Sequence, residues 1–146
     1  MTIAPEDLAA AFERAPGLAE RVRGTDAASV IASARSEIER MTEAERIRVL
    51  NAHPRIGADA ASLSTLSRRE QSGGADVATL RELAEMNDEY ERRFGFRFVV
   101  FVAGRSKAEI LPVIRERLRR TRVDELATGL DEFLAITRDR LERMAT

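Results

Sequence analysis

The amino-acid sequence predicts an all-α protein, a single domain of six to eight helices over residues 1–146. Apolar residues recur at helical spacing in several segments, and several of these segments open with a helix-capping pattern. Only one segment has the composition of a strand. A lone strand leaves its backbone groups unpaired, so we expect this segment to be a buried extended or helical crossover.

Composition and charge restrict the possible functions. The chain has 24 basic and 25 acidic residues and a net charge of −1, which argues against binding to nucleic acid or to an anionic membrane. There is no cysteine and one histidine, so thiolate chemistry is excluded and no metal site is expected. We find neither a long apolar run nor a signal peptide, and we expect a cytoplasmic protein.

The first half of the chain is expected to be helical with one short turn. Proline followed by acidic residues favours a first helix from Pro5 to about Ala15. After a short turn, Asp26 is suited to cap a helix that runs to about Arg40. The capping box Thr42–Glu45 then opens a helix that must end near His53, because a proline follows.

The second half is expected to add one short and three longer helices. A polar loop over residues 56–64 leads to a short helix that begins at Ser67 and is broken by Gly73 and Gly74. The strand-like crossover covers residues 96–102. The longer helices are expected over residues 77–93, from Ser106 to about Arg120, and from about Val123 to Met144.

The helix over residues 77–93 has a predicted inner face. Asn87 lies on it, and a buried amide needs hydrogen-bond partners, so we expect Asn87 to tie neighbouring elements together. The predicted face consists of Leu80, Leu83, Ala84, Asn87 and Tyr90.

The stretch Asn51–Gly57 contains His53, the only histidine. Histidine is the side chain best suited to move a proton near neutral pH. At a helix end, however, it can also act as a cap whose positive charge suits the helix dipole. Spacing alone leaves both interpretations open.

The stretch Ser67–Gly74 also has two interpretations. Ser67 and Glu70 have the spacing of a capping box. Gln71 follows Glu70, and a carboxylate beside an amide can clamp a polar ligand with urea-like donors and acceptors. The following glycines would allow such a ligand to approach closely.

The arginines near the end of the chain are expected to be mostly solvated and paired with acidic residues. Arg140 precedes an apolar residue and is expected either at the surface or as an anion clamp. The arginines expected on the solvated face are Arg115, Arg117, Arg119, Arg120 and Arg122.

Taken in order, these motifs resemble the family of 2-oxo-4-hydroxy-4-carboxy-5-ureidoimidazoline (OHCU) decarboxylases, which act in urate degradation. The resemblance is colinear and covers nearly the whole chain. Each motif is weak by itself, and the set in this order is specific. The motifs are His53-Pro54, the Ser-x-x-Glu-Gln pattern of Ser67–Gly74, Met86–Phe98, Arg117-Leu118 and Arg140-Leu141.

Some positions depart from the family pattern. Arg55 stands where many members have an acidic residue, and Arg97 stands where proline is common. Neither change affects the expected acid–base groups. The change at Arg55 could alter contacts with the substrate.

The resemblance implies an all-helical homodimer that converts OHCU to (S)-allantoin without a cofactor. It further implies that His53 is the general acid/base at the hydroxyl-bearing carbon, and that Glu70 orients the substrate and assists proton transfer. Arg140 would position or balance anionic charge. The implied substrate-binding residues are Pro54, Ser67, Gln71, Phe98, Val99, Val100, Phe101, Val102 and Arg140.

Two other functions are compatible with the sequence. The first is hydrolysis of a neighbouring ureide such as 5-hydroxyisourate, which one histidine supports poorly. The second is a helical interaction module in which His53 and Glu70 are only caps. That module would have no pocket joining His53, Glu70 and Gln71.

Overall fold

A computed structural model describes residues 3–12, 15, 17–56 and 77–144. Within these ranges every regular element is a helix, and none of the backbone forms a strand. The all-α prediction is therefore confirmed. The helices are α1 (Pro5–Ala11), α2 (Leu18–Arg21), α3 (Ala27–Glu39), α4 (Glu43–Asn51), α5 (Val77–Phe94), α6 (Lys107–Arg117) and α7 (Arg122–Met144).

Capping boxes open α4 and α6, as predicted. Thr42 accepts a hydrogen bond from the Glu45 backbone N–H at 3.2 Å, and Glu45 accepts one from the Thr42 backbone N–H at 3.0 Å. Ser106 and Glu109 form the same reciprocal pair at the start of α6. Each box satisfies N–H groups that the first turn of a helix leaves without partners.

The last helix, α7, is the centre of the packing and contacts α1, α3 and α4, while α5 packs against α6. Gly129 on α7 allows α4 to approach closely, because a Cβ at this position would lie 3.2 Å from Cδ1 of Leu50. This contact brings the C-terminal end of α4 against α7. The largest fully buried apolar side chains are Tyr90, Phe12, Phe96, Phe98, Phe133, Leu18, Leu50, Leu83, Ile110, Ile114 and Leu141.

The inner face of α5 is narrower than predicted. Leu83, Asn87 and Tyr90 are buried, whereas Ala84 is exposed and Leu80 retains 37% of its surface. The predicted inner face was therefore wrong at Leu80 and Ala84. The buried positions follow one another at intervals of four and three residues and form a narrow stripe on one side of the helix.

The crossover between α5 and α6 is largely buried, as predicted, and of the two conformations considered it is not helical. Gly95, at φ +82°, ends α5 in the left-handed region that glycine adopts without strain. Phe98, Val99 and Val100 then follow with almost no exposure. Helix α6 ends at Arg117, three residues before the predicted Arg120. None of the helices in the described part of the chain is long and apolar enough to cross a membrane.

Candidate active site

His53 lies two residues beyond the end of α4 and is 7% exposed. Its Nδ1 is 3.1 Å from the Pro54 carbonyl oxygen, and its Nε2 is 3.4 Å from Nη2 of Arg140. A carbonyl can only accept a hydrogen bond and a guanidinium can only donate one. These contacts therefore favour a neutral ring with the proton on Nδ1 and an accepting Nε2.

Arg140 on α7 is 3% exposed and faces the histidine. Its Nη1 donates to the carbonyl of Ala11 at the end of α1, at 3.2 Å. The sequence left Arg140 open as a surface residue or an anion clamp, and the structure buries it. A buried guanidinium directed at His53 provides a fixed positive charge beside the imidazole.

A pocket of about 330 Å³, which includes some open solvent, lies between the His53 corner, the crossover and α7. Its wall is mostly apolar, and His53 is the titratable side chain among the lining residues that the structure describes. Such a wall keeps the effective dielectric low, which strengthens the interactions of any charged group inside. The described lining residues are His53, Pro54, Ile56, Phe98, Val99, Val100, Val102 and Ile136.

Most of the predicted wall residues lie in this lining, and Ile56 and Ile136 were not predicted. Phe101 belongs to the same crossover but is not part of the described lining. Its backbone N–H donates to Glu132 at 3.4 Å, and its carbonyl accepts from Arg105 at 2.6 Å. The residues Ser67, Glu70 and Gln71, with their predicted capping box, lie outside the described residues.

Asn87 connects the corner to α5. Its side-chain N–H groups donate to the carbonyls of Ile56 at 3.2 Å and Leu83 at 3.0 Å. Arg55 also reaches α5, where it pairs with Asp88 at 2.7 Å and with Glu91 at 3.5 Å. Arg55 is therefore directed along α5, and it is absent from the lining that the structure describes.

A buried polar network binds the backbone of the crossover through Arg117. Arg117 is 5% exposed; its Nε donates to Glu125 at 2.7 Å and its Nη1 donates to the Val99 carbonyl at 2.6 Å. Glu125 is fully buried and also accepts from the Tyr90 hydroxyl at 2.6 Å and from Arg120 at 2.9 Å. Burial raises the pKa of the Tyr90 hydroxyl above its usual range, so Tyr90 stays a neutral donor.

The prediction of a solvated face was wrong for Arg117, although its pairing with an acidic residue is confirmed. The burial of Arg117 could have been predicted from the spacing of apolar residues in α6. Ile110, Ile114 and Arg117 follow one another at intervals of four and three residues, which places Arg117 on the apolar face of α6. Among the described residues, no group of three or more His, Cys, Asp or Glu side chains is arranged to hold a metal ion.

Fold and site together define an all-α protein with a histidine–arginine pair beside a small, mostly apolar pocket. The sequence model of the OHCU decarboxylase family matches residues 4–142. The chain therefore belongs to the OHCU decarboxylase family.

A curated relative and a solved structure agree with this assignment. Over 138 residues the chain is 29% identical to the 2-oxo-4-hydroxy-4-carboxy-5-ureidoimidazoline decarboxylase of Haloferax volcanii, covering 89% of this chain and 82% of that protein. A crystal structure of OHCU decarboxylase in the presence of (S)-allantoin superimposes with a TM-score of 0.74 at 25% identity, covering 94% and 96% of the two chains.

Some relatives are much longer. The uric acid degradation bifunctional protein of Bacillus sp. (strain TB-90) is 29% identical over 145 residues. This match covers 94% of this chain but only 29% of the relative, so the chain spans less than a third of that bifunctional protein.

Proposed function

We propose that this chain decarboxylates OHCU to (S)-allantoin. The observation that carries the proposal is the match of the OHCU decarboxylase family to residues 4–142. The buried pair of His53 and Arg140 beside a pocket supports it, because it provides a proton acceptor and a positive charge where a carboxylated substrate can enter.

The chemistry needs little from the protein beyond proton transfer and orientation. The substrate carries its carboxylate on a ring carbon that also bears a hydroxyl and adjoins a C=N bond. When the C–C bond to the carboxylate breaks and CO2 leaves, its electron pair forms a C=C bond in the ring. The π pair of the C=N bond moves onto the ring nitrogen, which takes a proton. The hydroxyl then loses its proton to become the carbonyl of allantoin. One proton is added to the neighbouring ring carbon, and delivery from one face gives the (S) product.

We assign His53 as the general acid/base. Nδ1 faces the Pro54 carbonyl, so Nε2 is the nitrogen that takes the hydroxyl proton, once the substrate carboxylate has drawn the Arg140 guanidinium away from its lone pair. Arg140, 3.4 Å from Nε2, balances the negative charge of the carboxylated substrate. The buried backbone of the crossover, with Pro54, forms the wall against which the ring lies.

The roles of the Ser67–Gln71 motif rest on the resemblance alone. In this proposal Glu70 orients the substrate and assists proton transfer, and Gln71 binds ureido or ring amide groups. Ser67 forms a hydrogen bond with the substrate. A homodimer, a reaction without cofactor and a cytoplasmic location also stay predictions.

The test is loss of CO2 from a freshly generated urate-oxidation intermediate, followed by circular dichroism of the allantoin formed. We expect the wild-type chain to give the (S) enantiomer. His53→Asn and Glu70→Gln should lower kcat by a factor of about 10² to 10⁴, the usual contribution of a general acid or base. Turnover at the wild-type rate in both variants would contradict the assigned roles.

A matched control is Glu116→Gln, which removes an exposed carboxylate from α6 and should leave kcat unchanged. Thermal unfolding of each variant separates lost chemistry from lost structure. Faster decay of 5-hydroxyisourate than of OHCU would favour the ureide hydrolase instead. No turnover of either compound, and no binding of allantoin by calorimetry, would favour the interaction module.

A further inference from the structure

Arg97, at the start of the crossover, contacts the backbone of the His53 corner. Its Nη1 donates to the carbonyl of Asn51 at 2.9 Å and to that of His53 at 3.0 Å. Its backbone N–H donates to Oδ1 of Asn51 at 3.0 Å. Carbonyls at the C-terminal end of a helix have no partner within the helix. One guanidinium therefore binds two carbonyls at and just beyond the end of α4.

These bonds restrict the peptide that joins His53 to Pro54. The His53 carbonyl belongs to this peptide, so holding it fixes ψ of His53. The proline ring fixes φ of the next residue, which leaves one backbone torsion to move the Pro54 carbonyl. That carbonyl lies 3.1 Å from Nδ1 of His53. Arg97 thus acts on the imidazole through the backbone.

Glu91 on α5 forms ion pairs with both Arg97 and Arg55. One of its carboxylate oxygens is 3.8 Å from Nε of Arg97, and the other is 3.5 Å from Nη2 of Arg55. Arg55 directly follows Pro54, and Arg97 binds the carbonyl of His53, so Glu91 contacts a guanidinium on each side of the His53–Pro54 peptide. The ion pairs are partly exposed and individually weak, whereas the bonds from Arg97 to the two carbonyls are directional.

We propose that Arg97 is a positioning residue for His53. It fixes the His53–Pro54 peptide so that the Pro54 carbonyl keeps the ring proton on Nδ1 and Nε2 stays an acceptor beside Arg140. Arg97 also lies directly before the crossover residues that line the pocket. It therefore fixes the position of His53 relative to that wall of the pocket. The consequence for catalysis rests on the proposed function, whereas the effect on the imidazole does not.

The state of the ring can be measured directly, because His53 is the only histidine and its ring ¹⁵N signals need no assignment. We expect the wild-type neutral ring to be protonated mainly on Nδ1. Arg97→Met keeps the aliphatic stem but removes the donors, and should move both ring ¹⁵N signals toward the average of the two tautomers. Arg97→Lys retains a charged donor and should restore part of the wild-type shifts. Arg92→Met, an equal charge change at an exposed position of α5, should leave them unchanged.

Steady-state kinetics test whether Arg97 influences kcat through His53. In Arg97→Met we expect kcat to fall roughly tenfold with KM changed less than about twofold, since misplacing a proton acceptor affects the chemical step more than binding. In a His53→Asn background the same substitution should have no further effect on kcat.

Wild-type ring shifts in Arg97→Met would overturn the proposal, and so would a loss of kcat that persists in the His53→Asn background. Altered shifts with unchanged kcat would overturn its catalytic consequence. If the wild-type chain does not decarboxylate OHCU, the proposed function fails while the ring shifts still decide the positioning role. If Arg97→Met does not fold by far-ultraviolet circular dichroism, the shifts of Arg97→Lys decide it.

Discussion

At the scale of single residues, the central contact is between a permanent cation and the imidazole of the only histidine. Arg140 cannot lose its charge, and its guanidinium faces Nε2 of His53 while also binding the Ala11 carbonyl. The planar fork of an arginine can make both contacts at once, because its N–H groups point in different fixed directions. A lysine has one nitrogen at the end of a flexible chain and cannot reproduce them.

This geometry predicts that Arg140→Lys is not a conservative change. We expect kcat/KM for OHCU to fall at least roughly tenfold, because a point charge cannot hold both the Ala11 carbonyl and the histidine side of the site. The measurement is steady-state kinetics on purified variants, with thermal unfolding alongside.

Arg138→Lys is the matched control. Arg138 lies on the same helix, is 54% exposed at its side chain and pairs with Glu142 at 2.8 Å. This exposed pair contributes little, so the control should keep wild-type kinetics and stability. Equal kcat/KM in Arg140→Lys and wild type would show that the forked geometry is not needed.

At the scale of elements, Glu125 connects α5, α6 and α7 through one buried carboxylate. Tyr90 comes from α5 and Arg117 from α6, and Arg117 in turn holds the Val99 carbonyl of the crossover. The centroid of the Phe98 ring lies 4.5 Å from the Arg117 guanidinium carbon, which is a favourable cation–π contact. The pocket wall is therefore held by a charged group and not by apolar packing alone.

We predict that Glu125→Gln lowers the free energy of unfolding by about 3 kcal/mol, because the buried Arg117 loses its counter-charge. Arg120 adds less, since its side chain is 38% exposed and solvent screens it. Urea unfolding measures the change. The exposed Glu116→Gln should stay within about 0.5 kcal/mol of wild type.

A double variant tests the cause. Glu125→Gln combined with Arg117→Met removes both charges, and we expect it to recover part of the stability that Glu125→Gln loses. If the double variant loses the sum of the unfolding free energies lost by Glu125→Gln and by Arg117→Met, the unpaired charge of Arg117 does not explain the effect of Glu125→Gln.

The elements also show what the sequence could predict. Thr42–Glu45 and Ser106–Glu109 were predictable because a capping box forms within four consecutive residues. The burial of Arg117 was missed because its counter-charge comes from another helix and a lone arginine usually lies at the surface. Arg140 and His53 are 87 residues apart, and the packing of α4 and α1 against α7 brings them together. The family resemblance implied that the two residues share a site. Spacing alone left His53 as either a cap or a proton carrier, and Arg140 as either a surface residue or an anion clamp.

At the scale of the whole molecule, acidic side chains at helix starts couple stability to pH. Hydrogen bonds from Ser29 lower the pKa of Asp26, the N-cap of α3. Hydrogen bonds from Thr42 and from Ser106 lower the pKa of Glu45 and of Glu109. A carboxyl group whose pKa is lower in the folded chain stabilises the fold above its unfolded pKa. That contribution is lost as the pH falls through the folded pKa.

We therefore expect stability to fall on acidification, and we expect the triple variant Asp26→Asn, Glu45→Gln, Glu109→Gln to fall less steeply. The amides keep the capping hydrogen bonds but do not titrate. The measurement is the free energy of unfolding in urea from about pH 7 down to about pH 3. The control is the triple variant Glu39→Gln, Glu89→Gln, Glu116→Gln, which removes the same charge from exposed positions that cap no helix start in the described chain. Because both variants remove the same net charge, identical slopes would mean that the capping carboxylates do not account for the acid sensitivity.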